Sequence, residues 1–84
     1  MREPGTATII LNGAPRALEE GQTVADLVGA QTGRQITVGG RAADGSRLGV
    51  AVARNAQVVP RSQWVTTVLR AGDDIEIVTA VQGG

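Results

Sequence analysis

The dipeptide Asn12-Gly13 sets the first constraint on this chain, because it stands between two short runs of strand-forming residues, 7–11 and 14–18. Both residues accept a positive φ, so the pair encodes a two-residue type I′ turn and therefore a β-hairpin. The outgoing strand, Ala7-Thr8-Ile9-Ile10-Leu11, is β-branched and apolar, while Pro15 confines the return strand to a sheet edge. Residues 19–22 read as a loop, and a helix start follows. The Thr23 hydroxyl can cap the first turn, and Asp26, three residues on, completes a capping box near the positive helix end. Val24, Leu27 and Val28 share one face at spacing i, i+3, i+4, and Gly33 suits the position after the last turn, so the predicted helix is Val24–Thr32.

Residues 34–47 are broken by Gly39-Gly40 and Asp44-Gly45-Ser46 and read as a long, partly mobile loop, with a short strand possible at 36–38. Residues 48–53 suit a buried strand. Residues 55–57 read as a turn, 58–59 as a short strand ended by Pro60, and 61–64 as a single 3₁₀ turn. After the turn at 71–74 comes the last strand, 75–78, with Ile75 and Ile77 on one face, and residues 79–84 leave the sheet as a tail. A hairpin, a helix and further strands, the final one long and central, define an α+β domain with the helix packed across one sheet face.

Eighty-four residues allow one domain with a small core. The 42% of hydrophobic residues must fill it with aliphatic side chains, since Trp64 is the only aromatic. There is no Cys, His or Lys. Disulfides, the usual zinc sites, Cys–His or Ser–His nucleophile pairs and lysine chemistry are therefore excluded. Eight Arg balance eight acidic residues, so no electrostatic footprint for nucleic acid or an anionic membrane is expected. Residues 1–5 are not followed by an apolar run and no stretch approaches bilayer-spanning length, so neither a signal peptide nor a membrane span is expected, and the expectation is a soluble cytoplasmic protein that is not an enzyme on its own. Trp64 is read as a core anchor beneath the 3₁₀ turn, and Asp73 and Asp74 as solvated turn residues without a metal or acid–base role. Arg61 could serve local carbonyls or an acidic partner.

From about Ile9 onward the chain resembles the ThiS family, the sulfur carriers of thiamin biosynthesis. The resemblance is carried by Asn12-Gly13 and by Gly21-Gln22-Thr23-Val24-Ala25-Asp26-Leu27 at the helix start. Further on it is carried by Val50-Ala51-Val52-Ala53-Arg54-Asn55 and by Val58-Val59-Pro60-Arg61-Ser62-Gln63-Trp64. Last comes Gly72-Asp73-Asp74-Ile75-Glu76-Ile77-Val78-Thr79-Ala80-Val81-Gln82-Gly83-Gly84, ending on two glycines. The connection at 34–47 is longer than members of the family have, and is read as a tolerated surface insertion.

The resemblance implies a ubiquitin-like β-grasp fold, a mixed sheet with one helix across it, as a single domain over residues 1–84. It also implies that the terminal carboxylate, on Gly84, is adenylated by a ThiF-like adenylyltransferase using ATP. Sulfur from a cysteine desulfurase would then convert it to a thiocarboxylate for the thiazole synthase ThiG. The carrier itself would bind no cofactor and no metal. Gly83 lets the tail enter a narrow channel, and Gln82 is the first position from the end whose side chain would fill it. Val78, Ala80 and Val81, apolar and close to the tail, suit docking to a partner. The same fold and ending would serve a related carrier, such as the small subunit of molybdopterin synthase or a carrier for cysteine or tRNA thiolation. A ubiquitin-like protein modifier is a rival of a different class.

Overall fold

The computed structural model describes residues 7–37, 39–45 and 49–79. The hairpin forms as the sequence predicts. β1 (Thr8–Leu11) and β2 (Ala14–Ala17) pair antiparallel around Asn12 (φ 50°) and Gly13 (φ 85°), both in the left-handed region that a type I′ turn requires. β2 is an edge strand, where the missing N–H of Pro15 costs nothing. Helix α1 spans Val24–Thr32 with a complete capping box: the Thr23 hydroxyl accepts from Asp26 N–H and the Asp26 carboxylate from Thr23 N–H. Two further N–H groups of its first turn, on Val24 and Ala25, donate to the carbonyls of Thr67 and Trp64. The helix start is thus fully satisfied inside the fold. Gly33 ends the helix at φ 72°.

β3 (Val50–Arg54) and β4 (Gln57–Val58) form a second hairpin over Asn55 (φ 52°) and Ala56 (φ 70°). This turn needs only two residues, so Gln57, expected in the turn, already belongs to β4. Val59, expected in the strand, lies beyond it and donates to the Val52 carbonyl. A 3₁₀ turn covers Arg61–Gln63, and β5 (Asp74–Thr79) closes the sheet. The strand order is β2-β1-β5-β3-β4, with β5 central, parallel to β1 and antiparallel to β3. The last strand is therefore the middle one, as the sequence analysis anticipated, and this mixed five-stranded sheet with one helix is a ubiquitin-like β-grasp.

One face of the sheet packs against α1 through Ile9, Leu11, Val50, Val52 and Ile75, which meet Val24, Leu27 and Val28. Trp64 is fully buried, and its indole N–H donates to the Val59 carbonyl at 2.9 Å, which removes the cost of burying a polar edge. It is the core anchor that its position suggested. Residues 34–45 are more structured than a plain loop. Ile36 bridges Ala42, Ala42 is buried, and Gly40 packs so closely on Arg61 that an added Cβ would lie 2.4 Å from the Arg61 carbonyl oxygen.

Candidate functional site

β5 brings the chain through the middle of the sheet and delivers it at the edge of the fold. Thr79, expected at the head of the tail, is still paired opposite Val50, so the strand runs one residue further than its apolar alternation indicated. Residues 80–84, which include the expected site residues Ala80, Val81, Gln82, Gly83 and Gly84, lie outside the described residues. Val78 is described. It is 61% exposed and sits on the sheet face opposite the helix. Cross-strand register places Ala51 beside Val78, and Ala53 beside Val58, which is 76% exposed. Glu76 stands opposite Ala53 on the same face. The result is a small-residue and valine surface with one carboxylate, next to the exit of β5.

At that exit two side chains continue ladders that the backbone no longer can. The Asn12 amide accepts from Ile77 N–H at 2.9 Å and donates to the Ile77 carbonyl at 3.4 Å. The Arg61 guanidinium donates to the Val50 carbonyl at 3.3 Å and lies over the Trp64 ring at 5.7 Å from its centroid. Arg61 thus serves a local carbonyl, one of the two roles its sequence left open, and the aromatic ring adds a cation–π contact.

The entry end of β5 corrects the reading of Asp73. It is 6% exposed rather than solvated, and its carboxylate accepts from Arg54 Nε at 2.8 Å, Asn55 Nδ2 at 3.1 Å and Arg70 N–H at 2.8 Å. Burial pushes this carboxyl up. The hydrogen bonds from Arg54, Arg70 and Asn55, with the charge of Arg54, outweigh burial and hold it below its ordinary value. Asp74 remains exposed, and its N–H donates to Asn55 Oδ1. Sequence reasoning missed this cluster because Arg54 and Asn55 lie a whole turn and strand away from Asp73. A polar pair directly before a central strand was the available signal.

A groove of about 430 Å³, lined by Leu18, Glu19, Glu20, Leu69 and Arg70 among others, also lies at the entry end, away from the exit. Among the described residues no group of three or more His, Cys, Asp or Glu is placed to hold a metal ion, and no helix is long and apolar enough to cross a membrane. Among the described residues at the exit, Glu76 supplies a carboxylate and Thr79 a hydroxyl. What the arrangement offers is the end of the β5 segment at Thr79, with an apolar surface beside it.

Comparison with known proteins bears on that segment. The sequence model of the ThiS family matches residues 9–84. Among solved structures, the crystal structure of a thiamine biosynthesis protein (ThiS) from Geobacter metallireducens is similar. It has a TM-score of 0.62 and 24% identity, covering 92% of this chain and 99% of that one, which is a likeness of fold. No curated protein matches the chain.

Proposed function

The chain belongs to the ThiS family of small sulfur carriers, and from that premise we propose that it carries sulfur as a thiocarboxylate on Gly84 for thiazole formation in thiamin biosynthesis. The observation that carries this reading is the family match running to Gly84, on a fold whose central strand is described as far as Thr79, five residues before Gly84 in the sequence. Five residues reach at most about 17 Å when extended, enough to enter another protein's active site from the surface of this one.

The chemistry divides between the carrier and its partners. An adenylyltransferase resembling ThiF binds ATP, and a carboxylate oxygen of Gly84 attacks its α-phosphorus, releasing pyrophosphate. The terminal sulfur of a persulfide, charged by a cysteine desulfurase, then attacks the acyl carbon and AMP leaves. A thiol attacks the donor's inner sulfur in the resulting acyl disulfide and forms a disulfide with it, so that the S–S bond breaks and the outer sulfur leaves on the acyl carbon as the thiocarboxylate for ThiG. The acyl-adenylate must be kept from water, and that closed site is the partner's. Gly83 permits passage through a narrow channel because it has no Cβ, and Gln82 marks its mouth. Val78 joins Ala51, Ala53 and Val58 in one apolar face, and this face, together with Ala80 and Val81 that follow in the sequence, docks the activating enzyme. The protein is a co-substrate rather than a catalyst.

Intact-mass measurement tests this directly. The protein is incubated with the thiamin-pathway activating enzyme, ATP and a persulfide donor. The expected result is a mass increase equal to replacement of one oxygen by sulfur, located to Gly84 by fragmentation. An unchanged mass with an active enzyme would remove the specific claim.

A further inference from the structure

We infer that Asn12 is a positioning residue for the tail, and that its side-chain amide fixes the direction in which β5 leaves the sheet. The inference rests on the carrier reading, and its structural half stands on geometry alone. In the parallel β1–β5 ladder, Ile10 N–H donates to the Asp73 carbonyl and Asn12 N–H to the Ile75 carbonyl. Continuing that pattern would require the Asn12 carbonyl to accept from Ile77 N–H and residue 14 to donate to the Ile77 carbonyl. Neither can do so, because the chain turns at Asn12 and Gly13 through positive φ and leaves to form β2. Left there, β5 would lose its β1-side partner two residues before Thr79.

The Asn12 side chain supplies both missing groups. Its Oδ1 accepts from Ile77 N–H at 2.9 Å, and its Nδ2 donates to the Ile77 carbonyl at 3.4 Å. One residue therefore makes three hydrogen bonds to β5, one through its backbone to Ile75 and two through its side chain to Ile77, the latter two across a sequence separation of 65. A turn alone does not require asparagine here, since glycine accepts the same φ of 50°. Only an amide offers an acceptor and a donor side by side, matching the N–H and C=O of an extended residue. On the opposite side β3 holds the same segment, pairing Val52 with Ile77 and Val50 with Thr79. With Asn12 in place, Ile77 is gripped from both sides and residues beyond it begin from a fixed point and heading. A fixed root narrows the orientations the tail samples, which lowers the cost of finding a partner's channel.

The test compares wild type with Asn12→Gly, which preserves the turn and removes the amide, and with Asn12→Asp, which keeps the acceptor alone. Two readouts are taken: amide hydrogen exchange of the free protein, and KM and kcat for thiocarboxylation with the activating enzyme, ATP and persulfide donor. In Asn12→Gly the Ile77 amide should exchange about tenfold faster, while the Val78 amide, held in the β3 ladder, changes by less than about threefold. KM for the carrier should rise about threefold to tenfold with kcat within about twofold, because the step after insertion is unaffected. Asn12→Asp should recover most of the Ile77 protection and part of the KM. Unchanged exchange at Ile77 would show that no clamp exists, and an unclamped Ile77 with unchanged KM would show that it does not position the tail. Either overturns the inference while wild type still loads. A wild-type protein that is not loaded overturns the carrier reading and the positioning role together, leaving the exchange result to report on the clamp.

Discussion

The two ends of β5 are held by different means. Where the strand enters, Asp73 is buried among Arg54, Asn55 and the Arg70 backbone, and Asn55 is bonded in turn to both the N–H and the carbonyl of Asp74. Charge-assisted bonds in a desolvated cluster make that end the stiff one. Where the strand leaves, no ion pair is found among the described residues: the Asn12 amide bonds Ile77, and Thr79 pairs with Val50, whose carbonyl accepts from the Arg61 guanidinium. On the carrier reading, a strand whose buried ion pair lies at its entry can pass its last residues to another protein without disturbing that cluster. The carrier reading therefore assigns the stabilising cluster and the reacting residues to opposite ends of one element.

If the entry is the anchor, Asp73→Ala must be the most damaging single change at either end. It strips three donors of their acceptor and leaves the partly buried Arg54 without its counter-charge. A loss of about 3 kcal/mol is expected, a fall of roughly 10–20 °C in melting temperature for a domain this small. The acid limb carries the same signature. The folded Asp73 carboxyl titrates below its ordinary value of 3.8, so its stabilisation is complete above that value and is lost as the pH falls through the folded value. Melting curves of Asp73→Asn should therefore depend less on pH below about 4 than those of wild type. An equal slope would mean that other carboxylates govern acid unfolding.

A change at the exit should cost less. Gly40 sits at φ 78° against Arg61, and a methyl group there would meet the Arg61 carbonyl oxygen at 2.4 Å and its Cβ at 2.6 Å. Gly40→Ala is expected to lift residues 39–43 off the 3₁₀ turn and uncover Ala42, for about 1–2 kcal/mol. Chemical denaturation, with the fluorescence of Trp64 beneath Arg61 as the probe, measures it. A loss larger than that of Asp73→Ala would reverse the ranking of the two ends.

The unequal legibility of the two ends in the sequence has a physical origin. Helix α1 was readable to its limits because Thr23, Asp26 and Gly33 act within a few residues of themselves. Asn12-Gly13 likewise announced its turn, yet that local meaning concealed the second use of the Asn12 amide, which appears only once β5 lies alongside. Asp73 looked like half of a solvated pair because its partners are 18 and 19 residues away, and its burial follows from where the β3–β4 hairpin lands. Residues 34–45 showed only glycines and turn signals. The burial of Ala42 and the contact of Gly40 with Arg61 are tertiary facts with no periodicity to betray them. The expected reactive residue, Gly84, and Gly83, expected to let the tail pass, were read from their place after the last strand and from family resemblance, and of the expected site residues Val78 is the one that is described.

Deletion of Gly84 should have the smallest effect on stability and the largest on loading. The residue lies five positions beyond the last pairing of β5, so no bond described for the core depends on it. Stability should change by less than about 0.5 kcal/mol. The truncated chain still ends in a glycine carboxylate, now on Gly83, but its arm is shorter by about 3.5 Å. Attack on the α-phosphorus of a nucleotide needs the reacting atoms at about 3–3.5 Å, and misplacement by about 1 Å can cost roughly a hundredfold. Thiocarboxylation should therefore fall at least that far, while the melting temperature and the Ile77 amide protection stay as in wild type. A loss of stability approaching that of Asp73→Ala would make the tail part of the core, and the exit of β5 as firmly anchored as its entry.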